Sequence, residues 1–278
     1  MKSTPQFTVI YEDDHIIAVN KASGVSIGGD RWDESRERLD RLVAETVYAK
    51  DSLSKIFTVH RIDRETSGLV VFAKDELTHR RLSKAFEGRE VKKRYIAIVY
   101  GRPHWQEESC DLPLVPNGNK QHMTIIDKYR GKPSLTGFEL LGSAGNYSIL
   151  EALPETGRTH QIRVHAAALG FSIVCDPLYG TDKPVLLSAI KKKWRGDPFE
   201  EKPLLARLGL HAMELSLPIA ELSLPIVELS LPIVELSLSV DMVSGDCLIL
   251  NAPFPRDMAA LIKQMNTVCP GIVGFFDK

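Results

Sequence analysis

A charged stretch that runs directly into an apolar stretch constrains the fold of this chain more than any other feature. Residues 60–68 read HRIDRETSG and place the carboxylate of Asp63 between two arginines, and residues 69–73 read LVVFA. A short apolar run bounded by polar residues predicts a buried strand. Asp63 then lies on a turn that leads into a rigid element, where a reactive group can be held still. Taken alone, the same pattern also fits a surface charge cluster.

A second polar segment, at residues 155–165, reads ETGRTHQIRVH and continues into an alanine-rich stretch that ends at Gly170. We predict a helix here, with Gly170 as its C-cap. Its apolar stripe at helical spacing consists of Ile162, Ala166 and Leu169. Arg163 lies outside this stripe, near the start of the helix.

The segment at residues 92–101 reads KKRYIAIVYG and alternates as a half-buried strand does. Tyr95 falls on the same face of this strand as Ala97 and Val99. A tyrosine at such a position can belong to an active site, or it can pack in the hydrophobic core without a functional role.

Together these three segments resemble the RluA-type family of RNA pseudouridine synthases. Two shorter stretches add to the resemblance, CDPLYG at residues 175–180 and LHA at residues 210–212. The order and spacing of the segments also match, and the resemblance extends over roughly residues 7–263. It implies an α+β pseudouridine-synthase fold, with a long, mixed and mostly antiparallel sheet, flanking helices and a central active-site cleft.

Hydrophobic patterns along the chain also favour an α+β fold with hairpin-like neighbours over a doubly wound parallel sheet. Further elements are predicted as strands at residues 7–12 and 15–20, an amphipathic helix at residues 36–48 and a helix that ends at Glu87. Asp75 is the expected N-cap of the last helix, and Gly88 is expected to close it.

The chain has 278 residues, 44% of them hydrophobic, a size that supports one large domain or two small ones. We interpret residues 1–278 as a single catalytic domain. No N-terminal RNA-binding accessory domain is expected, because the first predicted strand begins almost at once. Without a signal peptide or a long apolar span, we expect a cytoplasmic protein with no membrane partner. We also expect a monomer.

The formal net charge of −1 argues against an indiscriminate nucleic-acid binder, which is usually basic overall. Local basic clusters remain at Arg80-Arg81, at residues 92–94 and at residues 191–195. Each of them can be an ordinary solvated face. The resemblance favours an RNA-binding role for residues 92–94 and implies that the partner is ribosomal or transfer RNA.

The resemblance implies that Asp63 is the catalytic aspartate. Pseudouridine formation breaks the bond between uracil and ribose and rejoins the base through carbon. A carboxylate can stabilise the electron-poor sugar, bond to it or remove a proton from it, and the sequence leaves these three roles open. Arg163 matches the arginine that pairs with this aspartate, and Tyr95 matches the active-site tyrosine.

The resemblance also implies base flipping, because a uracil inside a folded RNA is not accessible. Arg61 matches the residue that fills the vacated stack, and its planar guanidinium suits that task. His60 is expected to support its loop through hydrogen bonds rather than act as a base. The residues predicted to bind RNA are Arg61, His60, Thr66, Lys92, Lys93, Arg158 and His160.

No metal ion and no organic cofactor is expected. His160 and His165 lie on one predicted helix at i and i+5, whereas metal-binding pairs prefer i and i+4, and no third ligand is evident. The four cysteines are scattered and form no CxxC pair, so neither a zinc site nor a disulfide framework is expected.

Residues 214–241 contain a seven-residue tandem repeat, ELSLPIA, ELSLPIV, ELSLPIV and ELSLSVD. Its prolines exclude a coiled coil, and an odd period reverses the buried face of a strand at each copy. Removing residues 214–234 leaves an uninterrupted hairpin sequence. We interpret this stretch as an insertion that protrudes at the periphery of the sheet, and a partner-contact surface is the alternative.

Two rivals to an RNA-uridine isomerase stay open. The first is a catalytically idle, RNA-binding relative that assists RNA folding, and the joint presence of Asp63, Tyr95 and Arg163 argues against it. The second is a carboxylate-based glycosidase, which normally needs two acidic residues across a sugar. No acidic partner of Asp63 is evident in the matched segments. The sequence does not reveal which RNA or which uridine is the target.

Overall fold

The structure is a computed structural model that describes residues 5–28, 38–49, 55–119, 121, 123–191, 193–218, 243–244 and 246–269. The strands are β1 Phe7–Glu12, β2 Ile16–Lys21, β3 Phe57–Thr58, β4 Ser67–Ala73, β5 Lys92–Tyr100, β6 Glu107–Cys110, β7 Leu114–Val115, β8 Ile125–Ile126, β9 Thr136–Ala144, β10 Tyr147–Pro154, β11 Leu210–Pro218, β12 Val243–Ser244 and β13 Cys247–Asn251. The helices are α1 Leu39–Tyr48, α2 Glu76–Glu87, α3 Gln161–Ala168 and α4 Arg256–Val268.

One long sheet contains eleven of the described strands, and its main path is β1-β2-β4-β11-β5-β10-β9-β6. Strand β3 pairs with β4, and β13 pairs with β11 and β12, while β7 and β8 form a separate pair. Among these described pairs, only β4 with β11 is parallel. The predicted α+β fold with a mixed, mostly antiparallel sheet is confirmed.

The start of β4 lies so close to β11 that only glycine fits there. Gly68 has a φ of 115°, and a Cβ at this position would lie 2.2 Å from the carbonyl oxygen of Ala212. His211 and Ala212 are the residues of β11 that pair with Ser67 and Gly68 in the parallel register. The glycine of the first motif and the LHA segment therefore constrain each other, and their contact fixes the chain just after Asp63.

Apolar clusters cover both faces of the sheet at its middle. Every residue of β4 is buried, and residues 96–99 of β5 have no exposed surface. Ile96 and Ile98 pack in a cluster that includes side chains of α4, whereas Ala97 and Val99 pack in a cluster with side chains of α3. The prediction of a half-buried β5 was wrong in this respect, because helices cover both sides of the strand.

The helix predicted between Asp75 and Gly88 is confirmed. Asp75 Oδ1 accepts hydrogen bonds from the backbone N–H groups of Leu77 at 2.9 Å and Thr78 at 2.8 Å, which caps α2. Gly88 is the C-cap with a φ of −70°, so the left-handed conformation falls on the next residue, Arg89. Helix α1 begins at Leu39, and residues 36–37 of its predicted range lie outside the described residues.

Helix α3 is buried on nearly all sides. Ile162 and Ala166 pack in one apolar cluster against Leu169, which confirms the predicted stripe. Arg163 is also buried, with 3% of its surface exposed. The predicted C-cap was one residue too late, because Leu169 is the C-cap and Gly170 follows it with a φ of 89°.

The first copy of the tandem repeat lies in the sheet. Residues Glu214–Pro218 form the second half of β11 and pair antiparallel with β13, from Glu214 opposite Asn251 to Pro218 opposite Cys247. Because all four copies contain ELSL, the sequence alone cannot say which copy occupies the strand. Residues 219–242, which hold the rest of the predicted insertion, lie outside the described residues.

Candidate active site

A cleft of about 520 Å³ lies at the middle of the sheet, where the segments at residues 60–68, 92–101 and 155–165 meet. Its walls come from the loop before β4, the end of α2, strand β5 and the segment at residues 154–163. The predicted site residues that line it are His60, Arg61, Asp63, Thr66, Lys93, Tyr95, Arg158, His160 and Arg163. Lys92 is exposed and is not part of the lining, since successive residues of a strand point to opposite faces.

Backbone carbonyls of the loop that carries Asp63 are held by the N-terminal segment. The buried Lys21 donates hydrogen bonds of 2.9 Å to the carbonyl oxygens of Ala22, Val25 and Arg64. Ser23 Oγ donates to the carbonyl oxygen of Glu65 at 2.6 Å. Burial lowers the pKa of Lys21 to about 7, although the negative charges of Glu65 and Asp63 act to raise it. Sequence reasoning missed this anchor, because a lysine at a strand end normally reads as exposed.

Arg163 lies between the carboxylate of Asp63, which lines the cleft, and that of Asp176, which is fully buried. Its Nη1 lies 3.5 Å from Asp63 Oδ2, and its Nε and Nη2 donate to Asp176 Oδ2 and Oδ1 at 2.8 and 2.7 Å. The pairing with Asp63 implied by the resemblance is therefore the longer of two, and the bidentate partner is Asp176. Burial opposes the charge of Arg163, but the hydrogen bonds and negative charge of Asp176 raise its pKa overall, so the guanidinium stays charged.

Asp176 is a site residue that sequence reasoning missed. It lies in the CDPLYG segment, is fully buried, and also accepts from the backbone N–H groups of Leu178 at 3.0 Å and Tyr179 at 3.3 Å. The sequence did not predict that Asp176 shares Arg163 with Asp63. Both oxygens of Asp176 are occupied by Arg163, however, so this second carboxylate orients the arginine rather than facing the cleft.

Tyr95 lies in β5 between two apolar clusters and borders the cleft. Burial, with a smaller contribution from the charge of Asp63, raises the pKa of the Tyr95 phenol well above its ordinary value. The hydroxyl is therefore protonated and neutral over the working pH range, and the ring offers an apolar face to the cleft.

His60 supports the loop, as expected, and it does so through the backbone of β4. Its Nε2 accepts a hydrogen bond of 2.9 Å from the N–H of Val71, and its ring stacks on Phe86 with centroids 4.6 Å apart. Burial lowers the pKa of His60 to about 3, so the ring is neutral. Its lone pair is used inside the protein, although the residue lines the cleft.

Positive side chains line the cleft beside Asp63. Arg61 is exposed, and no hydrogen bond or ion pair joins its guanidinium to another residue in the described part of the chain. Lys93 Nζ lies 3.5 Å from the carbonyl oxygen of Thr156, and burial together with the charges of Arg89 and Arg158 lowers its pKa. Such a surface attracts a polyanion.

Thr66 is 1% exposed and lines the cleft, and its Oγ1 has no hydrogen-bond partner within the described ranges. A buried hydroxyl without a partner is uncommon and needs an explanation. A bound polar molecule in the cleft can supply one.

Gln161 fixes the segment that carries Arg158 and His160, and sequence reasoning missed it as well. Its Oε1 accepts from Thr156 Oγ1 at 2.7 Å and from the N–H of Arg158 at 3.0 Å. Its Nε2 donates to the carbonyl oxygen of Leu135 and to Thr136 Oγ1, each at 2.9 Å. A glutamine just inside a predicted helix gave no signal of this role, because two of its four partners, Leu135 and Thr136, come from a distant part of the chain.

The two histidines of the second segment have separate partners. His160 Nδ1 lies 2.9 Å from the hydroxyl of Tyr179, whereas His165 is buried between Thr136 Oγ1 at 3.0 Å and the carbonyl oxygen of Leu112 at 2.9 Å. In the described ranges, no group of three or more His, Cys, Asp or Glu side chains is arranged to hold a metal ion. No described helix is both long and apolar enough to cross a membrane.

Residues 15–168, which include the aspartate and the arginine of the cleft, match the RNA pseudouridylate synthase family. The chain belongs to this family. Its relatives identify it more closely as an RluA-type pseudouridine synthase.

Two relatives illustrate the similarity. The chain is 35% identical to ribosomal large subunit pseudouridine synthase D of Zymomonas mobilis over 261 residues, which cover 92% of this chain and 72% of that protein. It is 37% identical to the dual-specificity RNA pseudouridine synthase RluA of Vibrio vulnificus over 218 residues, which cover 76% of this chain and 78% of that protein.

Two solved human structures share the fold. RNA Pseudouridylate Synthase Domain Containing 4 superposes with a TM-score of 0.67 at 19% identity and covers 93% of this chain and 92% of its own. RNA Pseudouridylate Synthase Domain Containing 1 gives a TM-score of 0.59 at 23% identity and covers 92% of this chain and 87% of its own.

Proposed function

We propose that this pseudouridine synthase converts specific uridines of ribosomal RNA, transfer RNA or both, with Asp63 as its catalytic residue. The observation that carries the role of Asp63 is its place in the cleft, where its Oδ2 lies 3.5 Å from the charged Arg163. The RNA class rests on the relatives, since one is named for the large ribosomal subunit and another for dual specificity.

The proposed chemistry centres on the anomeric carbon of the target nucleotide. That carbon becomes electron-poor when the bond to uracil breaks, and an oriented carboxylate can stabilise it, bond to it or take a proton from the sugar. Arg163 holds Asp63 from one side and is itself fixed by the bidentate pair with Asp176. The side chain of Asp63 keeps 21% of its surface exposed, so it is accessible to a nucleotide in the cleft.

Tyr95 and Thr66 are proposed to contact the uracil. The neutral ring of Tyr95 can stack on the base, as aromatic side chains do with unstacked RNA bases. Thr66 Oγ1, which lacks a partner within the described ranges, can exchange a hydrogen bond with a polar edge of the base or the sugar.

Arg61 is proposed to replace the flipped nucleotide in the RNA stack. Its side chain is exposed at the cleft and makes no ion pair or hydrogen bond within the described ranges, so nothing there holds it away from the RNA. Lys93 and Arg158 line the same cleft and are proposed to contact phosphates. Lys92 can reach RNA only outside the cleft.

A tritium-release assay tests the proposal. RNA carrying tritium at uracil C5 is incubated with the protein, and released tritium and free pyrimidine are measured together. We expect tritium release without free pyrimidine. Free pyrimidine would favour a glycosidase, and RNA binding without either product would favour an idle relative. Pseudouridine mapping of total RNA from cells with and without the protein then identifies the target.

We also propose that the chain acts as one catalytic domain with the repeat as an insertion, and that it is a monomer in the cytoplasm. Support for one domain comes from the continuous sheet and from α4, whose Met258 and Leu261 pack in the same apolar cluster as Ile96 of β5. Light scattering with the full chain tests the oligomeric state.

A further inference from the structure

A chain of contacts runs from a backbone amide to the catalytic carboxylate. The N–H of Thr124 donates to the hydroxyl oxygen of Tyr179 at 2.9 Å, and that hydroxyl lies 2.9 Å from His160 Nδ1. On the other side of the imidazole, His160 Nε2 lies 4.0 Å from Asp63 Oδ2. Thus Tyr179 and Asp63 face opposite nitrogens of one ring.

Donor and acceptor requirements at both ends of the ring select one tautomer. Because Tyr179 oxygen already accepts from the Thr124 amide, its own proton is available for His160 Nδ1. A neutral imidazole has a single N–H, which then lies on Nε2 and faces the negative Asp63. The other tautomer would direct the Nε2 lone pair at a carboxylate oxygen, which is repulsive.

The surroundings keep this ring neutral and fixed. Burial lowers the pKa of His160, and Asp63 opposes the shift only in part. The charged and titratable groups around the ring are Asp63, Arg163, Asp176, Arg61 and Tyr179. The backbone of His160 is left-handed with a φ of 55°, and its ring meets that of Tyr179 edge-on with centroids 5.6 Å apart.

We propose that Tyr179 is a positioning residue that holds His160 in its Nε2–H tautomer, so that His160 becomes a second donor to Asp63 Oδ2 beside Arg163. This inference rests on the proposed role of Asp63. Both neighbours approach Oδ2, and no described residue donates a hydrogen bond to Oδ1, so Oδ1 remains available to a nucleotide in the cleft. Distances between catalytic groups are often long in the free enzyme and shorten when substrate binds.

Two donors on one oxygen restrict rotation of the carboxylate more than a single donor does. Arg163 alone holds Oδ2 at 3.5 Å, which is a long contact. A second N–H on the same oxygen restricts the orientation of the carboxylate, and therefore of Oδ1, further. The expected benefit is in the rate of the chemical step, since orientation matters most at the transition state.

The tautomer can be read directly by NMR. In protein carrying ¹⁵N-labelled histidine, long-range proton–nitrogen correlations separate protonated from unprotonated ring nitrogens, and His160→Gln assigns the His160 signals. We expect the Nε2–H pattern in the wild type and a mixture of the two tautomers in Tyr179→Phe, where Asp63 alone still favours Nε2–H. A wild-type Nδ1–H form, or an unchanged pattern in Tyr179→Phe, would overturn the proposal. This readout does not depend on turnover.

A double-mutant cycle tests whether Tyr179 acts through His160. We expect Tyr179→Phe to lower kcat about tenfold with KM changed less than about twofold, and His160→Gln to lower it by at least as much. Adding Tyr179→Phe to His160→Gln should cost nothing further. Fully additive losses would mean that Tyr179 acts independently of His160. Tyr100→Phe removes a hydroxyl that contacts Lys183 rather than the cleft, and serves as the matched control. Wild-type inactivity on every RNA tested would refute the proposed function without touching the tautomer result.

Discussion

Two arginines in this protein each lie between two carboxylates, but the two groups differ in location and burial. In the cleft, Arg163 lies between Asp63 and Asp176. On strand β5, Arg94 contacts Glu151 and lies 3.5 Å from Glu214. The side chains of the second group are 12–27% exposed, whereas Arg163 is 3% exposed and Asp176 is fully buried.

The difference shows that burial and accessibility, more than residue type, distinguish an arginine of the candidate active site from an arginine that links strands. Arg94 joins carboxylates from the two strands that flank β5, so this group ties β10, β5 and β11 together. Arg163 has one carboxylate locked beside it and a second that stays open to the cleft. A buried, preoriented cation next to an accessible carboxylate is an arrangement suited to catalysis.

The largest expected effect comes from Asp63→Asn. The amide keeps the shape of the side chain but loses the charge on which the proposed chemistry depends, so we expect isomerisation to fall by roughly a thousandfold or more. RNA binding should survive. Single-turnover assays and filter binding measure the two properties separately. Substantial turnover, with deamidation excluded by mass spectrometry, would remove Asp63 from the mechanism.

Lysine substitutions compare the two arginines directly. Arg163→Lys keeps a charge but loses the planar fork that binds Asp176 through two parallel bonds, so we expect activity to fall by about a hundredfold. Arg94→Lys is the matched control and should stay within about twofold of wild type. Equal losses in the two variants, measured as kcat/KM, would contradict the distinction between them.

Asp176→Asn tests the buried ion pair between Asp176 and Arg163. Removing one partner of a buried pair leaves Arg163 uncompensated, so we expect the free energy of unfolding to drop by about 3 kcal/mol. Activity should fall as well, because Arg163 is no longer held toward Asp63. Urea unfolding measures the first effect. Glu151→Gln is the partly exposed counterpart and should cost no more than about 1 kcal/mol.

Deleting residues 214–234 should have the smallest effect. The deletion joins Met213 to Glu235, so an identical ELSL sequence takes the place of Glu214–Leu217 and restores a glutamate beside Arg94. We expect Tm within about 3 °C of the full chain and activity within about twofold.

Thermal melts, sizing columns and the tritium assay check the deletion. An unfolded or inactive variant would make the repeat part of the core. A monomeric variant beside an oligomeric parent would make the repeat an interface between copies of this chain.

Local structure followed the sequence closely where neighbouring residues decide it. The Asp75 cap, the apolar strand after Gly68 and the stripe of α3 depend on contacts within a few residues, so periodicity and capping rules predicted them. The covered second face of β5 was missed, because packing against distant elements decided it. The C-cap of α3 was placed one residue too late, at Gly170 rather than Leu169.

In the cleft, the sequence motifs predicted several of the residues that line it but did not predict the residues that contact them. Asp63, Tyr95 and Arg163 were found from the sequence, and they line one cleft. Asp176, Gln161, Lys21 and Tyr179 were missed as participants, since each acts through a residue far away in the chain. Buried polar groups of this kind give no periodic signal, and their roles depend on which acceptors the fold places within about 3 Å.

By itself, the sequence determined the family, the mostly antiparallel α+β architecture and the chemical types brought to the site. Tertiary structure alone decided that Arg163 is locked to Asp176 and only reaches toward Asp63, and that β4 approaches β11 so closely at Gly68 that a Cβ does not fit there. The physical reason is that charge and hydrogen-bond energies depend on distance and burial. Both quantities are set by strands and helices that meet only after the chain has folded.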